Sequence, residues 1–88
     1  MNAFSGMNVE QVRHLSSQLT HQADQIHQIL TSLTGTLDST QWTGPDSERF
    51  RDEWATSHTS GLLQIVSAMQ DAAQRAEHNA AEQENTSR

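Results

Sequence analysis

Eighty-eight residues hold one domain at most, with a net charge of −6 and five arginines but no lysine. An acidic chain without a basic cluster argues against nucleic acid and against anionic membrane surfaces as partners. Cysteine is absent, which removes disulfides and thiolate metal sites, and no apolar run approaches the ~20 residues of a membrane-spanning helix.

Residues 1–7 read as a flexible arm. Met1 to Gly6 lacks the basic start and apolar core of a cleavable signal peptide, so release from the cell would require another route. Asn8 is a good helix N-cap, with Gln11 three residues on as in a capping box. Met7 and Val12 occupy the positions of a hydrophobic staple.

The first helix is expected over about 9–39. Its apolar residues fall on a heptad: Val12, Leu15, Leu19, Ile26, Ile29 and Leu33, with Gln22 as the one polar member. Ala23, Leu30 and Leu37 widen that stripe on one flank, as in a helix with more than one neighbour. Leu37 keeps the phase past Gly35, which places the helix end near Asp38 or Ser39.

Residues 40–44 are the turn, containing Trp42 and ending on Gly44 as N-cap of the second helix, with Pro45 at its first position. Asp46 and Glu48 set negative charge against the positive end of that helix. The second helix, about 45–84, continues through Phe50, Trp54, Leu62, Ile65, Val66 and Met69 into an alanine-rich half, and residues 85–88 read as a disordered tail. A short turn between two rods of similar length forces them antiparallel. The fold class is therefore all-α: an antiparallel two-helix hairpin over residues 8–84.

Leu, Ile, Val and Phe number only 15, a low count that gives two helices little apolar surface to bury on each other. A second hairpin covering the apolar face, to make a four-helix bundle, is the expected remedy. Val12, Leu15, Leu19, Ile26, Ile29, Leu33, Leu37, Phe50, Trp54, Leu62, Ile65 and Met69 are the candidate core and dimer-interface residues.

Little here points to chemistry. The histidines at 14, 21, 27, 58 and 78 miss the i,i+3 or i,i+4 spacing that brings two ligands to one ion on a helix; His14 and His21 stand ~10.5 Å apart along the axis. Packing or solvent contact suits them better than metal, and no cofactor is expected. Glu48, Asp52 and Glu53, interleaved with Arg49 and Arg51, read as a solvated face and not as an acid/base pair. No enzyme activity is expected. Trp42, Phe50 and Trp54 have two readings that overlap: a buried pin of the hairpin, or a partly exposed docking element at its tip.

The Trp42-Thr43-Gly44 turn between two helices, with Phe50 six residues after Gly44 and no signal peptide, resembles the WxG family of ESAT-like proteins. These are small substrates of the type VII (ESX) secretion system, and the resemblance covers about residues 8–82. It implies a hairpin that dimerises into a four-helix bundle, with itself or with another WxG-type hairpin. It also implies export in the folded state through a complex driven by a secretion ATPase, the protein being cytoplasmic beforehand. The family's bipartite signal joins the turn of one subunit (here Trp42 and Gly44) to a Tyr-x-x-x-Asp/Glu motif after the second helix of the other. This chain has no tyrosine; His78-x-x-x-Glu82 keeps only the spacing and the acid. The expected function is that of a non-enzymatic secreted substrate or co-secreted partner. A cytoplasmic helical adaptor or chaperone for a larger WxG-type effector is the alternative, and a membrane-active hairpin is weaker still, because the polar face is not basic.

Overall fold

A computed structural model of the protein describes residues 6–86. Helix α1 runs Val9–Ser39, α2 Pro45–Glu53 and α3 Thr59–Thr86, with a π-helical turn, Trp54–His58, joining the last two into one rod. The described residues are all-helical, without a strand, and form a hairpin of two long arms measuring 65 × 17 × 15 Å. Most of the expected arm, residues 1–5, lies outside the described residues, as do 87 and 88 of the expected tail; helix α3 itself continues through Thr86.

Local chemistry accounts for the ends of the arms. The Asn8 side chain accepts a hydrogen bond from the Gln11 N–H at 3.0 Å, satisfying one of the four donors left open at a helix start. At the other end of α1 the Thr40 N–H turns back to the Leu37 carbonyl at 3.1 Å. Gly44, at φ 110°, takes a backbone conformation that a side chain would strain. Pro45 then starts α2 where its missing N–H has no partner to lose.

The arms meet along a seam spaced by sevens. Ser16, Ala23 and Leu30 of α1 are buried against Val66, Ala73 and Ala80 of α3, the arrangement of a heptad seam. This shifts the expected stripe by one residue. Leu15 and Ile29, placed by the sequence at the centre, are 52% and 57% exposed, and Leu33 and Ile65 are also exposed. Ala23 and Leu30, expected on the flank, lie at the centre instead. The reason is steric: small residues such as Ser16 and Ala73, which meet in the seam, let two backbones approach closely, while larger neighbours are displaced outward. Ser16 uses that closeness to donate its hydroxyl to the Ala73 carbonyl at 2.8 Å inside the seam.

The second arm is also not the unbroken α-helix that its periodicity suggests. In the π turn the Thr59 N–H reaches back to the Trp54 carbonyl, five residues away, which inserts one extra residue into the winding. Before the turn, Ser47, Arg51 and Trp54 face α1. Continuing their spacing would bring His58, Gly61 and Ile65 into the seam. The extra residue brings in Thr59, Leu62 and Val66, and leaves His58, Gly61 and Ile65 exposed.

Candidate functional site: the hairpin tip and its groove

The tip is built around Arg51. Its Nη1 donates to the Leu37 carbonyl at 2.8 Å and its Nη2 to the Thr40 carbonyl at 3.0 Å, with a longer Nη2 contact of 3.5 Å to the Trp42 carbonyl. Its Nε donates to the Ser47 hydroxyl at 2.9 Å, and that hydroxyl donates in turn to the Trp42 carbonyl at 2.8 Å. Ser47 is 2% exposed. One guanidinium thus takes up the open carbonyls at the end of α1 and in the turn, and a buried serine aligns it.

Trp42 has a different place from the one expected of a pin held by both helices. It is 38% exposed, and its ring packs on Phe50, with centroids 5.4 Å apart and planes tilted by 54°. At the turn itself the arms are tied by Arg51, which sequence reasoning placed on a solvated face. One signal for it did exist. The last turn of α1 contains no basic residue, so its carbonyls need a donor from elsewhere, and Ser47 and Arg51 stand at i,i+4 immediately beyond the turn.

Below the tip, Phe50, Trp54, Ser57, His58, Gly61, Leu62 and Ile65 line an open groove of about 550 Å³. Trp54 fixes its wall from behind, its indole N–H donating to the Thr34 hydroxyl of α1 at 2.9 Å, and its ring meets His58 at 6.1 Å. Gly61 is open here: a Cβ added to it would meet nothing within 4 Å.

Of the expected interface residues, Leu15, Ile29, Leu33, Phe50 and Ile65 are exposed, while Val12, Leu19, Ile26, Leu37, Trp54, Leu62 and Met69 are half-buried. They therefore form the edge of the seam and the apolar surface beside it. His78 and Glu82 lie far from the tip, mostly exposed and 3.6 Å apart. Near them Arg13 spans the open end of the hairpin, pairing with Glu77 at 3.2 Å and Glu84 at 3.1 Å. Hydrogen bonds that Arg13 donates to Glu84 and then to Glu77 raise its guanidinium above its already high range, so it remains charged. Among the described residues no three His, Asp or Glu side chains converge to hold a metal ion, and no helix is long and apolar enough to cross a membrane.

No protein-family model matches this chain, and no curated protein or solved structure matches it significantly.

Proposed function

We propose that the protein is a non-enzymatic, dimeric WxG-type substrate or co-secreted partner of a type VII (ESX) secretion system, with the Trp42-Thr43-Gly44 turn as part of its export signal. The observation behind this reading is the tip itself. Trp42 is presented partly exposed on Phe50, while the turn is held by Arg51 and Ser47. The indole is therefore free to serve as a recognition element without being needed to hold the helices together. An amphipathic ring at such an edge suits docking to another protein.

The missing tyrosine favours one refinement and one rival. In the refinement, the C-terminal half of the signal comes from the partner, or from His78 and Glu82 in degenerate form. In the rival, the hairpin is a cytoplasmic adaptor for a larger WxG-type effector and never leaves the cell. Expression of Trp42→Ala in a host with an active type VII system separates them. The expected result is loss of the protein from the medium with unchanged helicity, matching the effect of deleting the secretion ATPase. Release of Trp42→Ala at the wild-type level would refute the role given to the turn. Absence of the wild-type protein from the medium would favour the adaptor.

A further inference from the structure

Two polar side chains are buried among the described residues, Ser16 and Ser47, and both hydroxyls bond outside their own helix. The exposed hydroxyls behave differently. Thr31, Thr36, Thr40, Thr56 and Thr86 each donate to the carbonyl four residues back, the local bond open to a hydroxyl on a helix. Ser16 donates across the seam to Ala73. Ser47 donates five residues back, to the Trp42 carbonyl in the turn, at 2.8 Å. A buried hydroxyl is costly unless it is paired, so a serine here calls for a reason that alanine would not meet.

Closing the hairpin is not that reason. Arg51 reaches the Leu37 and Thr40 carbonyls directly, at 2.8 and 3.0 Å, but stands 3.5 Å from the Trp42 carbonyl. Gly44, the N-cap of α2, brings no side-chain bond to the turn. Ser47 supplies the short bond to Trp42 while accepting from the Arg51 Nε at 2.9 Å. The Trp42 carbonyl lies in the planar peptide that joins Trp42 to Thr43, so holding it fixes one of the two backbone angles that aim the Trp42 side chain. Phe50, three residues beyond Ser47 and on the same face of α2, then receives the indole. The rings lie 5.4 Å apart and tilted by 54°, within the range of a favourable aromatic pair.

We infer that Ser47 is a positioning residue of the export signal: through the Trp42 carbonyl it holds the indole in the orientation that lies against Phe50, where an exporting partner meets it. This role rests on the export reading of Trp42 given above, and it extends the signal from Trp42 and Gly44 into α2. Arg51 closes the arms, and Ser47 aims the ring. A partner that reads one orientation binds in proportion to the fraction of molecules that hold it. Loss of one hydrogen bond of ordinary strength lowers that fraction, and export with it, roughly fivefold.

Ser47→Ala and Ser16→Ala make a matched pair, since each deletes a buried hydroxyl that donates to a carbonyl at 2.8 Å. Both are expressed beside wild type and Trp42→Ala in a host with an active type VII system, with the medium compared to the cell content. Ser47→Ala is expected to be exported roughly fivefold less than wild type, and Ser16→Ala as well as wild type. An equal loss in both would assign the effect to stability and overturn the positioning role. So would wild-type export of Ser47→Ala beside a blocked Trp42→Ala.

On the purified protein, the heteronuclear NOE of the indole N–H groups reads the mobility of each ring, and Trp42→Ala identifies the Trp42 signal by its absence. Ser47→Cys is added as a second variant, because a thiol keeps the volume but donates weakly. In Ser47→Ala and Ser47→Cys the Trp42 NOE is expected to fall, while that of Trp54, bonded to Thr34, holds. An unchanged Trp42 NOE would overturn the proposal, as would loss of helicity in both variants, which would assign Ser47 to the fold. Wild-type export of Trp42→Ala would instead remove the export reading, and the NOE would still decide whether Ser47 holds the indole.

Discussion

The Arg51 guanidinium and the Leu37 carbonyl, 14 residues apart in sequence, meet at 2.8 Å and close the hairpin. The arms beside this contact share a thin core: among the described residues, three of the five buried apolar side chains are alanine. Polar closure at the tip therefore has unusual weight, because alanines bring helices close but bury little surface.

Arg51→Ala is expected to destabilise the fold by about 1–3 kcal/mol, since it leaves half-buried carbonyls without a donor. For a domain of this size that lowers the thermal midpoint by roughly 5–15 °C. Arg51→Lys is expected to recover only part of the loss, because an ammonium cannot reproduce the planar fork that reaches Leu37, Thr40 and Ser47 together. Thermal unfolding followed by circular dichroism measures both. An unchanged midpoint in Arg51→Ala would show that the tip is held by something else.

Two glycines are expected to respond in opposite directions. Gly35 sits inside α1 with open space around a built Cβ, so Gly35→Ala gains helix propensity and adds about 0.8–1 kcal/mol. Gly44 has φ 110°, and Gly44→Ala is expected to lose about 1–3 kcal/mol from backbone strain. Urea midpoints of the two variants decide this, and a destabilising Gly35→Ala would contradict the helical geometry given for that position.

Ser16 tests the seam. Ser16→Ala removes the bond to the Ala73 carbonyl but keeps the volume small, and about 0.5–1.5 kcal/mol is expected to be lost. Ser16→Leu forces the arms apart where Ala73 packs and is expected to cost more, about 1–3 kcal/mol. The reverse order in denaturant midpoints would mean that the seam is loose enough to take a larger residue.

The Arg13 pairs with Glu77 and Glu84 are solvent-facing and are expected to act locally on the open end. Arg13→Gln should speed hydrogen exchange in the last turns of α3 while leaving the middle of the hairpin unchanged. The difference from wild type should shrink as salt is raised, because exposed pairs are screened. Since its partners raise the Arg13 guanidinium above its ordinary range, Arg13 remains charged at every pH below that range. Its share of the effect is therefore not lost by deprotonation in ordinary buffers. Equal acceleration throughout α1 and α3 would refute a local role.

Much of the architecture was legible along the chain. Asn8 and Gln11 announced the start of α1, Gly44 and Pro45 the start of α2, and the three-and-four spacing of apolar residues the two rods. These signals are local, set by neighbours within about a turn of helix, so the amino-acid order alone determines them. The same holds for the neutral, apolar character of Leu15, Ile29 and Ile65.

Tertiary structure decided which neighbour each residue faces. Periodicity defines a stripe to within a residue or so but cannot choose its centre. The close approach of the arms where Ser16 meets Ala73 made that choice, and it turned Leu15 and Ile29 outward. The π turn at Trp54–His58 then exposed His58, Gly61 and Ile65, a change of winding that no single residue type encodes. Arg51 looked like one more surface charge because its acceptors, the carbonyls of Leu37 and Thr40, lie across the turn in space. Trp42 supplied the resemblance, and folding gave the task of joining the helices to an arginine nine residues later.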